Sequence, residues 1–185
     1  MTHPNIENPW QTQSSQLIYN NDWIQVVENK VINPSGKQGI YGVVHFKNFA
    51  MGIIPMDSEQ NIYLVGQYRY PLNQYSWEIP EGGGNLAISP LESAKRERLE
   101  ETGIAAQKWT QIQTMHLSNS VSDELAIIYL AQELSLGTAS PEETEQLQIQ
   151  KVPFEKAYQM VCHNQITDSL SVAGILKLKL ILANL

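Results

Sequence analysis

Along the first third of the chain, β-branched and aromatic residues come in short runs broken by polar turns, a pattern that predicts strands rather than helices. Leu17-Ile18-Tyr19-Asn20, residues 23–32 and residues 40–46 form the first three runs, the last two separated by Asn33-Pro34-Ser35-Gly36. They predict an antiparallel meander of about three strands, too small to be stable alone and in need of a partner sheet or subunit. Apolar runs at 50–54 and 62–68 flank Asp57-Ser58-Glu59-Gln60-Asn61 and predict two strands joined by a turn. Trp77-Glu78-Ile79 reads as a short strand ended by Pro80. Residues 109–117, 124–130 and 147–152 are again strand-like, and 137–145 form a polar, acidic loop. Residues 154–163 and 168–183 predict two helices, the second with Leu170, Val172, Ala173, Leu176 and Leu180 near helical spacing. Strands interleaved with helices predict an α/β (α+β) fold, a mixed sheet sandwiched between helices and preceded by a small antiparallel sheet. Three regions follow: 1–15, polar and broken by Pro4 and Pro9, as a flexible lead-in that Trp10 is placed to tack down; 16–47 as the N-terminal strands; and 48–185 as the main domain.

One helix stands apart from this pattern because charge, not apolar spacing, marks it. Ser89 is suited to the N-cap, Pro90 to the first helical position and Gly103 to the stop. Between them Glu97, Glu100 and Glu101 fall at i, i+3 and i+4, on one side. Like charges so spaced cost roughly 0.2–0.5 kcal/mol per pair, so a cation is expected to offset them. A hard divalent ion, magnesium first, suits carboxylate oxygens, with Arg96 placed to orient the acids. Taken alone, the helix reads better as a solvated, charge-rich surface element.

Composition narrows the class. In 185 residues, 42% hydrophobic content is enough for one domain with an appendage. A net charge of −7 argues against a general nucleic-acid or anionic-membrane surface. The single cysteine, Cys162, excludes an internal disulfide framework and fits a reducing, cytoplasmic setting, and no run has the length or flanks of a membrane span or signal peptide.

The spacing from Gly82 onward resembles the Nudix box: a glycine, five residues, an acid, seven residues, then Arg-Glu-aliphatic-any-Glu-Glu-any-Gly-aliphatic. Gly82, Arg96, Glu97, Glu100, Glu101, Gly103 and Ile104 fill it. Two positions depart, Ile88 where the family has its first glutamate, and Arg98 in place of an aliphatic residue, with Leu99 apolar beside it. The resemblance implies a Nudix-type α/β/α sandwich and magnesium-dependent hydrolysis of a nucleoside diphosphate derivative, with manganese as a substitute ion. It assigns Glu97, Glu101 and Glu100 to the metal, with the Glu81 carbonyl completing the site.

Gln67-Tyr68-Arg69 is similar to the Gln-aromatic-Arg motif of the branch that cleaves ADP-ribose and ADP-sugars, in which the arginine contacts the diphosphate. In that branch the N-terminal strands pair two subunits and provide aromatic walls for adenine, which puts Trp23 and Tyr41 in that role and implies a homodimer. Core packing or a dimer contact explains the same two aromatics as well. The general base comes from a mobile acidic loop after the box. Glu145 fits best, then Glu143, with Glu142 also in that loop; a solvated acidic loop is the plain alternative. Residues 116–124 occupy the place of a Ser-Pro-Gly loop but lack its proline and glycine. The expectation is cleavage of ADP-ribose or an ADP-sugar to AMP and a sugar phosphate. Alternatives are a weak or inactive nucleotide-sugar sensor, or a Nudix hydrolase for a GDP-sugar or dinucleoside polyphosphate.

Overall fold

The computed structural model describes residues 7–136 and 147–184, without the side chains of Glu97, Arg98, Glu100, Glu101 and Leu136. The described chain forms two compact units: one of residues up to Lys47 together with Ser118–Glu124, the other of Asn48–Leu117 and the remainder from Leu125.

The first unit is an antiparallel sheet in the order β1 (Gln11–Asn20), β2 (Ile24–Ile32), β3 (Gln38–Phe46). The turn between β2 and β3 is built by Asn33, whose Oδ1 accepts from Ser35 N at 3.0 Å, Ser35 Oγ at 2.7 Å and Lys37 N at 3.0 Å. β1 begins at Gln11, inside the stretch expected to be a lead-in. Gln11-Thr12-Gln13-Ser14-Ser15 has no apolar alternation to announce a strand, but its backbone pairs along β2, with Gln11 opposite Ile32. Every residue of β1 is exposed, including Leu17, Ile18 and Tyr19. Residues 118–124 attach to β3: Val44 N donates to Val121 O at 2.8 Å, and the Tyr41 hydroxyl donates to Ser120 O at 2.7 Å. Asp123 accepts from Phe46 N at 3.0 Å and lies 2.6 Å from His45 Nδ1.

The second unit holds the core. Its mixed sheet runs β7 (Glu81–Asn85), β4 (Asn48–Pro55), β9 (Leu125–Leu136), β8 (Ile104–His116), with β4 and β9 parallel and the other pairs antiparallel. A second, antiparallel sheet is β10 (Gln148–Pro153), β5 (Asn61–Arg69), β6 (Gln74–Glu78). The helices are α1 (Pro90–Thr102), α2 (Phe154–Cys162) and α3 (Ser169–Ala183).

Strand alternation decides what covers each face of the mixed sheet. Met51 and Ile53 of β4, with Ile127, Tyr129 and Ala131 of β9, pack with Leu91 and Ala94 of α1. Ile54, Ala126, Ile128 and Leu130 point the other way and pack with residues of α2 and α3. The mixed-sheet α+β class and the small antiparallel N-terminal sheet are thus as the sequence predicts.

Three local features differ from expectation. The glycine stretch is a strand rather than a turn, β7, pairing with β4 from Asn48 opposite Asn85 to Gly52 opposite Glu81. β8 starts at Ile104, directly after α1, not near Trp109. In α3 the face against the sheet carries Leu170, Ser171, Gly174, Ile175 and Leu178, whereas Leu176 and Leu180 are exposed. Small residues are the reason: a Cβ at Gly174 would lie 3.1 Å from Ile54 Cδ1 and 3.2 Å from Ile128 Cγ2, so the helix seats its smallest side chains where it comes closest to β4 and β9.

Candidate active site

Local sequence builds α1 as the carrier of the acids. Ser89 Oγ accepts from Glu92 N at 3.2 Å, Pro90 occupies the first turn, and Gly103 closes the helix with φ +67° while its N–H donates to Leu99 O at 2.9 Å. The helix is unbroken between these caps, so Glu97, Glu100 and Glu101 stand at i, i+3 and i+4 along one side of its backbone. Arg96 lies on the same helix and is exposed. Gly84 sets how near α1 lies to the sheet: a Cβ there would meet Met51 Cγ at 3.0 Å, its Sδ at 3.1 Å and Ser93 Cβ at 3.2 Å. Carboxylates at this sequence spacing on one helix suit a hard divalent ion.

Ahead of β7 the structure joins Arg69 and Glu81 to three residues that the sequence reading did not single out for the site. Glu78, at the end of β6, is 2% exposed and accepts from Arg69 Nε at 3.0 Å and Nη2 at 2.5 Å. Arg69 Nη2 also lies 3.9 Å from Glu81 Oε2. Asp168 caps α3, accepting from Ser171 N at 2.8 Å. Ser171 is fully buried; its Oγ accepts from Ile79 N at 2.9 Å and donates to Glu81 Oε1 at 3.1 Å.

Electrostatics order this cluster. Burial, then hydrogen bonding to Asp168 and the nearby negative charge, push the Glu81 carboxyl well above its ordinary value. Burial also penalises Asp168, but the Glu81 hydrogen bond, the Ser171 N–H and hydroxyl, and Arg69 outweigh it and hold its pKa below the usual value. The two shifts are opposite, so of the pair Glu81 is the more readily protonated. Burial opposes the charge on Arg69, but Glu78 first and then Glu81 and Asp168 hold its pKa above the ordinary one. The result is a permanent cation, fixed by Glu78 on its Nε–Nη2 edge. A charged residue between Trp77 and Ile79, and an Asp-x-x-Ser sequence opening an apolar helix, were the available signals for Glu78, Asp168 and Ser171.

Trp23 and Tyr41 belong to the first unit and are not brought together within one chain. Lys47 N donates to Trp23 O at the far end of the β2–β3 ladder, whereas Tyr41 pairs with Asn29. The offset of six residues is roughly 20 Å at the rise of a strand. Trp23 is 66% exposed; Tyr41 is half-buried, edge-on to Trp10 with ring centroids 5.2 Å apart. Glu142, Glu143 and Glu145 lie outside the described residues, as do the side chains of Glu97, Glu100 and Glu101.

Residues 47–170 match the family model described as the NUDIX domain, and residues 10–44 match the one described as the nucleoside diphosphate sugar hydrolase N-terminal domain. The chain belongs to the Nudix family. It is a Nudix hydrolase acting on phosphoanhydride bonds. An ADP-ribose pyrophosphatase of Bacillus subtilis is 30% identical over 171 residues, covering 91% of this chain and 92% of the relative. One of Mycobacterium tuberculosis is 30% identical over 175 residues, covering 92% and 83%. A crystal structure of an ADP compounds hydrolase superposes with a TM-score of 0.86 over 98% of both chains at 17% identity, a likeness of fold. In this Nudix chain α1 carries the box acids, and β7 carries the box glycine, Gly82.

Proposed function

We propose that this Nudix hydrolase cleaves the pyrophosphate of ADP-ribose or an ADP-sugar, releasing AMP and a sugar phosphate. The observation that carries the reading is the order of matches: a nucleoside diphosphate sugar hydrolase N-terminal domain directly precedes the Nudix domain, as two ADP-ribose pyrophosphatases align over nine-tenths of the chain. Magnesium, with manganese as a substitute, would be held by Glu97, Glu101 and Glu100 and by the Glu81 carbonyl. Bound there, the ion supplies charge neutralisation for the diphosphate.

The chain's own residues do the rest. Arg69, gripped by Glu78, presents its remaining N–H groups to a diphosphate oxygen at little cost in ordering. Arg96 orients the acids of α1. Glu145, with Glu143 as the second choice, takes the proton from the attacking water when its loop closes. Trp23 and Tyr41 wall the adenine. With roughly 20 Å between them along one sheet, a shared base draws one ring from each of two subunits, which supports a homodimer, as does the wholly exposed β1. Reduced, exposed Cys162 accords with a cytoplasmic enzyme.

A second reading follows from Ile88, 49% exposed at the position of the first box glutamate: a sensor that binds a nucleotide sugar without cleaving it. Incubation with magnesium and a panel of ADP-ribose, ADP-glucose, GDP-mannose and diadenosine polyphosphates separates the readings. Turnover of an ADP compound supports the first, binding without turnover the second, and turnover confined to GDP-mannose or the polyphosphates a Nudix enzyme of other specificity.

A further inference from the structure

We infer that Ser171, on the C-terminal helix, is a positioning residue for the backbone of Glu81 and so for the metal site, an inference that rests on the reading of the Glu81 carbonyl as a metal ligand. The hydroxyl touches both ends of a three-residue turn. It accepts from Ile79 N at 2.9 Å and donates to Glu81 Oε1 at 3.1 Å, spanning Pro80, whose ring fixes its own φ and restricts Ile79. On the other side Ile53 N of β4 donates to Pro80 O at 2.9 Å. The peptide that leads into Gly82 of the box is thus clamped between a sheet strand and a helix.

The support behind Ser171 is itself rigid. Its N–H is fixed by the Asp168 cap at 2.8 Å, and Gly174, one turn further on, brings α3 within van der Waals contact of Ile54 and Ile128. A fully buried hydroxyl that bonds Ile79 N and Glu81 Oε1 is costly to place and specific in what it holds. A carbonyl ligand is useful only if its direction is set before the ion arrives, and groups that orient ligands from behind typically change metal affinity by about 10–100-fold when removed. Ser171 does not touch substrate or ion; it acts through the turn.

The test is Mn2+ affinity of the substrate-free full-length protein, read from the free-ion electron paramagnetic resonance signal, for the wild type, Ser171→Ala and Ser171→Cys, well below each variant's melting temperature. The expected result for Ser171→Ala is about tenfold weaker Mn2+ binding, with the nucleotide KM at saturating metal unchanged. Ser171→Cys keeps the volume and a weak donor, falls between the two, and carries the comparison if the alanine variant does not fold. Equal Mn2+ affinity in wild type and the folded variants overturns the inference and leaves the proposed function standing. Absence of Mn2+ binding in the wild type overturns the metal-dependent reading itself.

Discussion

Replacing Glu78 tests whether the Arg69 fork is a buried ion pair with structural weight. The Glu78 side chain is 3% exposed and that of Arg69 36% exposed, and two guanidinium nitrogens meet one carboxylate. Glu78→Ala leaves Arg69 partly buried without its hydrogen-bonded partner, with Glu81 Oε2 3.9 Å away. A fully buried pair broken this way loses about 3–5 kcal/mol, and the exposed share of Arg69 reduces this to roughly 2–4 kcal/mol because water screens and solvates the orphaned charge. For a chain of this size the corresponding fall in melting temperature is roughly 5–15 °C, measured by calorimetry or circular dichroism. Glu78→Gln retains an acceptor and the volume, so its fall is smaller. The double variant Arg69→Met, Glu78→Leu removes both charges and returns most of the stability while hydrolysis stays lost. A Glu78→Ala protein melting within about 2 °C of the wild type contradicts the assignment of this pair as structural. A double variant that still turns over substrate contradicts the role proposed for Arg69.

Two further outcomes are expected. Asp57 is penalised by burial, but a 2.7 Å contact with Lys151 and the N–H groups of Asn61 and Glu59 overcome this and lower its pKa from 3.8 to about 2. A pKa depressed by folding stabilises the protein above the unfolded value, and that gain is lost as pH falls through about 2. Asp57→Asn should therefore lower stability at neutral pH and flatten its dependence between about pH 4 and 2 in urea titrations; an unchanged slope contradicts the linkage. Tyr41→Phe removes the hydroxyl bond to Ser120 O but keeps the ring, so the KM for ADP-ribose should hold while proteolysis near residue 120 accelerates. Tyr41→Ala should raise that KM about tenfold or more, the worth of one stacked base, and equal KM values in both variants argue against an adenine wall.

What was legible in the sequence is what local chemistry encodes. Ser89, Pro90 and Gly103 fix both ends of α1 through their own conformational and capping preferences, so the helix and its acids could be placed from the chain alone. The apolar runs of β4 and β9 likewise announce strands covered on both faces. What stayed hidden depends on contacts distant in sequence. The first half of β1, Gln11–Ser15, carries polar side chains, and only pairing with β2 makes it a strand. Gly82, Gly83 and Gly84 read as a turn by propensity, but β4 supplies the ladder that makes them extended. In α3, Ser171 faces inward because Ile79 N and Glu81, about 90 residues earlier, take its hydrogen bonds, a fact that no periodicity contains. Trp23 and Tyr41 flank the same turn in sequence, and only the register shows how far apart one sheet sets them.

The most direct test of the account is release of AMP from ADP-ribose by the purified protein with magnesium, followed with and without chelator and compared with Glu101→Gln. Metal-dependent turnover by the wild type, loss of turnover on chelation and its near-complete loss in the variant are expected. Turnover equal in the wild type and Glu101→Gln, or tight binding of ADP-ribose with no AMP released, contradicts it.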